Sequence, residues 1–292
     1  MTRSVNTADL HSQRDGLGDW GWKAGGDQPT AAYVHIPFCR HRCGYCNFSL
    51  MANREDLNER FLKALEMEFS ELKIPRPVKT LFLGGGTPSI LPREPMDRLL
   101  RLLGYWLPMN HGGEWSMEAN PLDVTESFCR HVRSLGVNRL SIGGQSFQAS
   151  KLKRLERDHS PDQLVESVRI AMQHFDRVSI DLIFAAPEET LDGWHDDLQR
   201  ALELGVQHVS TYGLTFEKGA RFWECENGKR SSRSLRIWNW SFTSMRLTCY
   251  VKTVLSITKF PILPSQGMHA NTIKTIGWES RGGHLARAQH DI

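Results

Sequence analysis

The stretch Tyr33-Val-His-Ile-Pro-Phe-Cys39-Arg-His-Arg-Cys43-Gly-Tyr45-Cys46-Asn-Phe48 decides how this chain is read. It joins a short apolar run to three cysteines at C-x3-C-x2-C spacing. Three closely spaced thiolates can hold three irons of a cubane [4Fe–4S] cluster. The fourth iron then stays open to a small molecule, unlike the irons of a four-thiolate electron carrier. Zinc is the alternative: a structural zinc site wants four ligands, and His35 or His41 could supply the fourth. A disulfide fits poorly, because one tight loop offers no separated partners.

Outward from this loop, strand and helix patterns alternate as far as Gly213. Strands are predicted over Ala32–Ile36, Val78–Leu83, Trp115–Ala119, Arg139–Gly143, Val178–Phe184 and His208–Leu214. They are short, apolar, and β-branched or aromatic, as buried parallel strands are. Amphipathic helices are predicted over Arg54–Leu72, Glu94–Tyr105, Val124–Leu135, Asp162–His174 and Leu191–Leu204. In the last, Leu191, Trp194, Leu198, Ala201 and Leu202 share one face. Gly136 and Gly205 follow their helices where a C-terminal cap belongs. Six such units predict an α/β fold, either a parallel barrel or an open parallel sheet. In both, ligands collect at the C-terminal ends of the strands.

The chemistry-bearing residues fall at those ends. The cysteine loop follows the first strand, and Gly84-Gly85-Gly86-Thr87-Pro88 follows the second. Backbone without side chains can approach a ligand closely, although a glycine-rich turn can also be merely tight. No Gly-Lys-Ser/Thr follows, so it is not a P-loop. Glu118 closes the third strand, Gln145 follows the fourth, and Asp181 lies on the fifth. The two carboxylates can accept hydrogen bonds from hydroxyls or a ligand ammonium, or act as structural caps. Arg157 can pair with a ligand carboxylate or sit exposed on a helix. Cys129, on the helix after the third strand, is expected to be packing; Cys225 and Cys249 carry no assigned role.

Composition narrows the class. The chain has 292 residues and only six cysteines, which is not a disulfide-rich usage. Residues 1–31 are polar and glycine-rich without an apolar core, and are expected to be a disordered leader with a cytoplasmic location. No apolar run approaches the roughly 18 residues of a membrane helix. The net charge of +3 is uneven. Residues 229–292 carry ten basic and two acidic groups, and residues 1–228 carry 26 basic and 31 acidic groups.

Together, the cysteine run, the Gly-Gly-Gly-Thr-Pro-Ser turn, Glu118-Ala-Asn-Pro121, Gly143-Gly-Gln-Ser-Phe147 and Asp181-Leu-Ile-Phe184 resemble the radical S-adenosylmethionine superfamily. More narrowly they resemble its oxygen-independent coproporphyrinogen III oxidase group, almost continuously over residues 33–228. The resemblance implies a partial (β/α)6 barrel over residues 32–228. It implies a [4Fe–4S] cluster on Cys39, Cys43 and Cys46, with S-adenosylmethionine on the open iron and cleaved on reduction to a 5′-deoxyadenosyl radical. By position, Tyr33, Tyr45, Gly85, Gly86, Thr87, Glu118, Gln145, Arg157 and Asp181 would line the S-adenosylmethionine pocket. The glycine turn would meet the methionyl amino group and Glu118 the ribose. The implied partners are heme or a porphyrin, an electron donor such as a flavodoxin or ferredoxin, and a heme-acceptor protein. Nucleic acid is not among them.

Within the group, the oxidases resemble C-x3-C-x2-C-x-C, whereas position 48 here is Phe48. Cys-Asn-Phe resembles instead the heme-chaperone branch, whose heme ligand lies in a C-terminal H-N-x-x-Y-W motif. That motif is absent from this chain. After about Lys229 the family pattern stops, acidic residues fall to two, and residues 229–292 hold 14 Ser and Thr. Back-translation offers a cause. Codons for Leu235 to Leu255 can be chosen so that a neighbouring frame reads EDMELELYEYAIDMLRENGF. The same frame offset turns Ser256–Pro264 into YYEISNFA and the bases from Asn271 onward into HNQNYWMG. The tail is therefore expected to be a frameshifted C-terminus, not selected to pack, with an accidental basic charge. Three functions follow in order: a heme-chaperone-like radical protein, a coproporphyrinogen oxidase, and a non-catalytic zinc or cluster module.

Overall fold

In the computed structural model, residues 30–223 are described. Six strands form one sheet: β1 (Ala31–Ile36), β2 (Val78–Gly85), β3 (Met109–Ala119), β4 (Arg139–Gln145), β5 (Arg177–Phe184) and β6 (His208–Gly213). They pair in the order of the sequence, and every pair is parallel. A doubly wound open sheet needs a reversal of strand order, and there is none here. Right-handed crossovers that always step in one direction place the helices on one face and curl the sheet into a barrel wall. Among the described residues β1 and β6 are paired only on their inner sides, so the described wall is partial. Of the two sheet types left open by the sequence, this is the barrel.

The helices are α1 (Asn58–Ser70), α2 (Arg93–Trp106), α3 (Glu126–Ser134), α4 (Ala149–Arg154), α5 (Pro161–His174) and α6 (Leu191–Glu203). Local chemistry sets their starts. Ser160 and Gln163 form a capping box around Pro161, and Thr125 and Thr190 accept from the amides of Phe128 and Gly193. Gly136, at φ +111°, ends α3 in the left-handed conformation that L side chains disfavour. The expected Arg54–Leu72 helix is instead a 3-10 turn, Glu55–Leu57, followed by α1. The six-residue α4 was too short to show a period. Two residues each at Phe38–Cys39 and Met51–Ala52 pair outside the main sheet.

The core lies between the wall and the helices. Leu81, Leu83, Met117, Leu140, Ile142, Val178 and Ile180 pack there with Leu99, Leu103, Val132, Leu164 and Val168. Cys129 belongs to this core, as its helix position predicts. The opposite face of the strands is polar, although the sequence reading made the strands simply apolar. Ser141 and Ser179 hydroxyls lie 2.8 Å apart, and Arg139 donates to Ser116 and Ser179. Period-two alternation puts these residues on the concave side, with Glu118 and Asp181 further along the same face. Among the described residues, no helix is long and apolar enough to cross a membrane. The predicted leader and the predicted frameshifted tail lie outside the described residues, apart from the leader's last two positions.

Candidate functional site

At the C-terminal ends of the strands is a cavity of about 350 Å³. All the predicted site residues line it except Tyr33. The Tyr33 ring stacks on Phe82, and its hydroxyl meets His35 Nδ1 at 3.3 Å. Burial pushes its phenol up to about 12, and the Glu118 carboxylate adds to the effect.

The cysteine loop leaves β1 and is held in shape by its own backbone and by Arg42. The Cys46 amide donates to the Cys43 carbonyl at 3.0 Å. The Arg42 guanidinium donates to the carbonyls of Cys46, Phe48 and Leu50 at 3.2, 3.1 and 2.9 Å. All three cysteines are free thiols. Burial pushes the Cys39 thiol up to about 11, while the Thr87 hydroxyl draws it partway back. Cys46 is raised by burial as well, opposed by the Phe48 backbone.

The glycine turn after β2 packs directly against this loop. The Gly86 and Thr87 amides donate to the Ile36 and Phe38 carbonyls at 2.8 and 2.7 Å. A Cβ on Gly86 would lie 2.5 Å from the Phe38 carbonyl oxygen, and one on Gly85 would enter the His35 ring. The turn is thus tight for a structural reason, and Gly85, Gly86 and Thr87 also face the cavity.

Two carboxylates mark the concave face. Glu118 accepts from the Gly85 amide at 3.1 Å. Burial pushes it up to about 8, the nearby Asp181 carboxylate adds to this, and the Gly85 amide opposes it. Asp181 is likewise raised by burial and held back by the Ser210 and Ser141 hydroxyls. Arg157 is not on a helix surface. It follows α4, donates to the Gly143 carbonyl at 2.9 Å, and lies 3.7 Å from Cys43 Sγ. Its buried Nε has no hydrogen-bond partner among the described residues. Gln145 is the last residue of β4 and has φ +65°.

Sequence reasoning missed several supports. Asp158 accepts from Asn120, and Asp123 accepts from Ser89 and Arg40, which knits the loops after β2, β3 and β4 to the cysteine loop. Asp197 lies fully buried on the face of α6, whereas Leu191, expected there, is exposed. An acid three residues after Trp194 on the apolar face was the available signal. Cavity residues beyond β6, such as Leu214 and Glu217, carry no sequence signature.

The donor set can be tested against the two metal readings. Among the described residues, no three His, Cys, Asp or Glu side chains are grouped to share one metal ion. His35 Nε2 is 2.7 Å from the Ser49 carbonyl and His41 Nε2 is 2.8 Å from that of Glu156. His35 is thereby engaged away from the thiols, whereas His41 Nε2, besides its Glu156 contact, also lies 3.5 Å from Cys43 Sγ. A cubane cluster places each thiolate on its own iron, so its cysteines need not converge on a point. Three thiols lining one cavity, with the Arg157 guanidinium beside Cys43 and the Glu118 and Asp181 carboxylates in the same lining, fit a cluster and a zwitterionic ligand.

A partial β/α barrel with a three-cysteine loop at its first strand defines a class, and comparison places the chain in it. The model of the Radical SAM superfamily matches residues 33–201, and the chain belongs to that superfamily. Among curated relatives, the heme chaperone HemW of Lactococcus lactis is 35% identical over 191 residues, covering 65% of this chain and 50% of the relative. HemW of Escherichia coli is 36% identical over 203 residues, covering 66% and 53%. Among solved structures, the coproporphyrinogen III oxidase HemN of Escherichia coli, a radical SAM enzyme, superposes with TM-score 0.65 at 27% identity, covering 76% of this chain and 53% of that one. The chain spans about half the length of the curated relatives it matches.

Proposed function

We propose that this chain is a HemW-like radical S-adenosylmethionine protein of heme or porphyrin metabolism, working in the cytoplasm. The observation that carries the reading is the convergence of Cys39, Cys43 and Cys46 with Gly85, Thr87, Glu118, Gln145, Arg157 and Asp181 on one cavity. Cys39, Cys43 and Cys46 would hold the [4Fe–4S] cluster. With S-adenosylmethionine bound, it would supply one-electron reductive cleavage of a carbon–sulfur bond.

The protein's own part is binding and orientation. Arg157 offers a cation for the ligand carboxylate, and the Gly85–Gly86 backbone offers close approach for its ammonium. Glu118 and Asp181 offer acceptors for hydroxyls, and the raised Glu118 can also donate while protonated. The concave wall shields these groups from bulk water, which strengthens each interaction. An electron donor such as a flavodoxin or ferredoxin and a heme acceptor belong to the proposal. Heme fits the relatives, which are heme chaperones, but this chain lacks H-N-x-x-Y-W, so we do not assign it a heme ligand.

Phe48, in place of a fourth cysteine, favours the chaperone over the oxidase. The likeness to HemN keeps oxidative decarboxylation of coproporphyrinogen as the second reading. Anaerobic reconstitution tests both. About four irons per chain and S-adenosylmethionine cleavage on reduction support them, and product analysis with coproporphyrinogen separates them. A colourless protein that binds zinc and no iron overturns both.

A further inference from the structure

We propose that Lys151 is the positioning residue of the S-adenosylmethionine side of the cavity, fixing the turns that end β4 and β5 through Asp197 and Glu189. The proposal rests on that cavity taking S-adenosylmethionine.

Gln145 and Ala185 both lie in the left-handed region, at φ +65° and +60°, and neither is glycine. Such a conformation persists only where its surroundings hold it. At Gln145 the β4–β5 register also shifts: Ile142 pairs with Ile180, but Gln145 pairs with Leu182. An extra residue of this kind re-aims a side chain, and Gln145 lines the cavity. The bulge also spans Gly143, whose carbonyl accepts from Arg157.

Each turn is gripped by one buried acid. Asp197 accepts from the Phe147 amide at 2.7 Å and from the Ser146 hydroxyl at 2.8 Å. Glu189 accepts from the Ala186 amide at 3.2 Å. Lys151 Nζ donates to both acids, 2.9 Å from Asp197, and lies 5.2 Å from the centre of the Trp194 ring. The three side chains are 2%, 1% and 0% exposed for Lys151, Glu189 and Asp197. Two buried carboxylates this close need a cation between them, and removing it leaves uncompensated charge that must neutralise or move. Either response loosens the acids' hold on the Phe147 and Ala186 amides. Lys151 touches no cavity atom, so its effect on a ligand passes through Gln145 and the end of β5.

The test uses the full chain, reconstituted anaerobically, with S-adenosylmethionine as the probe in equilibrium dialysis. K151M is expected to load as much iron as the wild type, since the cysteines follow β1, and to bind S-adenosylmethionine about tenfold or more weakly. Equal iron with affinity within about twofold of wild type overturns the proposal, whatever the melting temperature does. Should K151M fail to load iron, the charge-neutral K151M/E189Q/D197N is read the same way, because the lysine no longer joins the two turns. A wild-type protein that loads iron but does not bind S-adenosylmethionine overturns the cavity assignment instead.

Discussion

Cys39 Sγ lies 3.3 Å from Thr87 Oγ1, which joins the cysteine loop after β1 to the glycine turn after β2 across 48 residues of chain. The contact lowers the cost of ionising a thiol that burial otherwise raises. Cluster ligands must be deprotonated, so loading releases protons and depends on pH. Replacing Cys39, Cys43 or Cys46 by alanine is expected to take iron from about four per chain to below one. Cys129→Ala, in the core, should leave the iron unchanged. Thr87→Val should load fully only at higher pH than wild type. Iron analysis after reconstitution across pH checks all three.

The Arg42 fork spans three carbonyls of the cysteine loop. A lysine ammonium keeps the charge but cannot reach all three from one position. Arg42→Ala and Arg42→Lys should both reconstitute, and both should lose cluster faster to a chelator, by about tenfold or roughly 1.4 kcal/mol. The decay of the cluster's visible absorbance measures this. Equal decay in wild type and both variants would show that the loop holds without the fork.

Glu118 binds its proton more tightly folded than unfolded, at about 8 against an ordinary 4.5. Between those values the native state holds the extra proton, so stability falls as pH rises. It is fully present below about pH 4.5 and lost progressively up to about pH 8. Each pH unit in that window costs up to about 1.4 kcal/mol, or about 3 °C of melting temperature. Glu118→Gln keeps an acceptor for the Gly85 amide and removes this titration. In the metal-free protein it should melt with wild type near pH 5 and above it at pH 8. Parallel melting curves across that range would refute the assignment.

Glycine positions separate packing from propensity. On Gly86 a methyl group meets backbone on two sides, the Phe38 and Ile36 carbonyls. Gly86→Ala should destabilise the fold by about 1–3 kcal/mol. Gly104 lies in α2 with nothing nearer than Trp115 at 3.9 Å. Gly104→Ala should stabilise by up to about 1 kcal/mol. Chemical denaturation of the two variants measures both signs.

These contrasts show what was legible beforehand. The six strands, five of the helices and eleven of the cavity residues follow from the sequence: apolar runs, caps, and motifs placed at strand ends. What was not legible depends on register and on partners distant in sequence. The polar concave face needed the barrel curvature to say which side Ser141 and Ser179 occupy. Lys151 carries no signal in the sequence, because its partners Glu189 and Asp197 lie 38 and 46 residues away. Resemblance alone places Arg157 in the pocket; the physical reason, that α4 ends before it, comes from the structure.

The tail yields the last prediction. Residues matched by the superfamily model end at 201, and the matched part covers only about half of each relative's length. Residues 229–292 lack the family pattern, yet codons can be chosen so that one frame offset gives two motifs in the right order. Degenerate codons give freedom at each position, but recovering both motifs in order and in one frame is not expected by chance. Sequencing the DNA should find a single-base shift near codon 230 whose correction reads through to H-N-x-x-Y-W. Expressed side by side, both proteins should load iron, because Cys39, Cys43 and Cys46 precede the shift. Only the corrected protein should bind heme with a histidine-type spectrum. Heme bound equally by both would move the ligand into residues 1–228 and detach it from that motif.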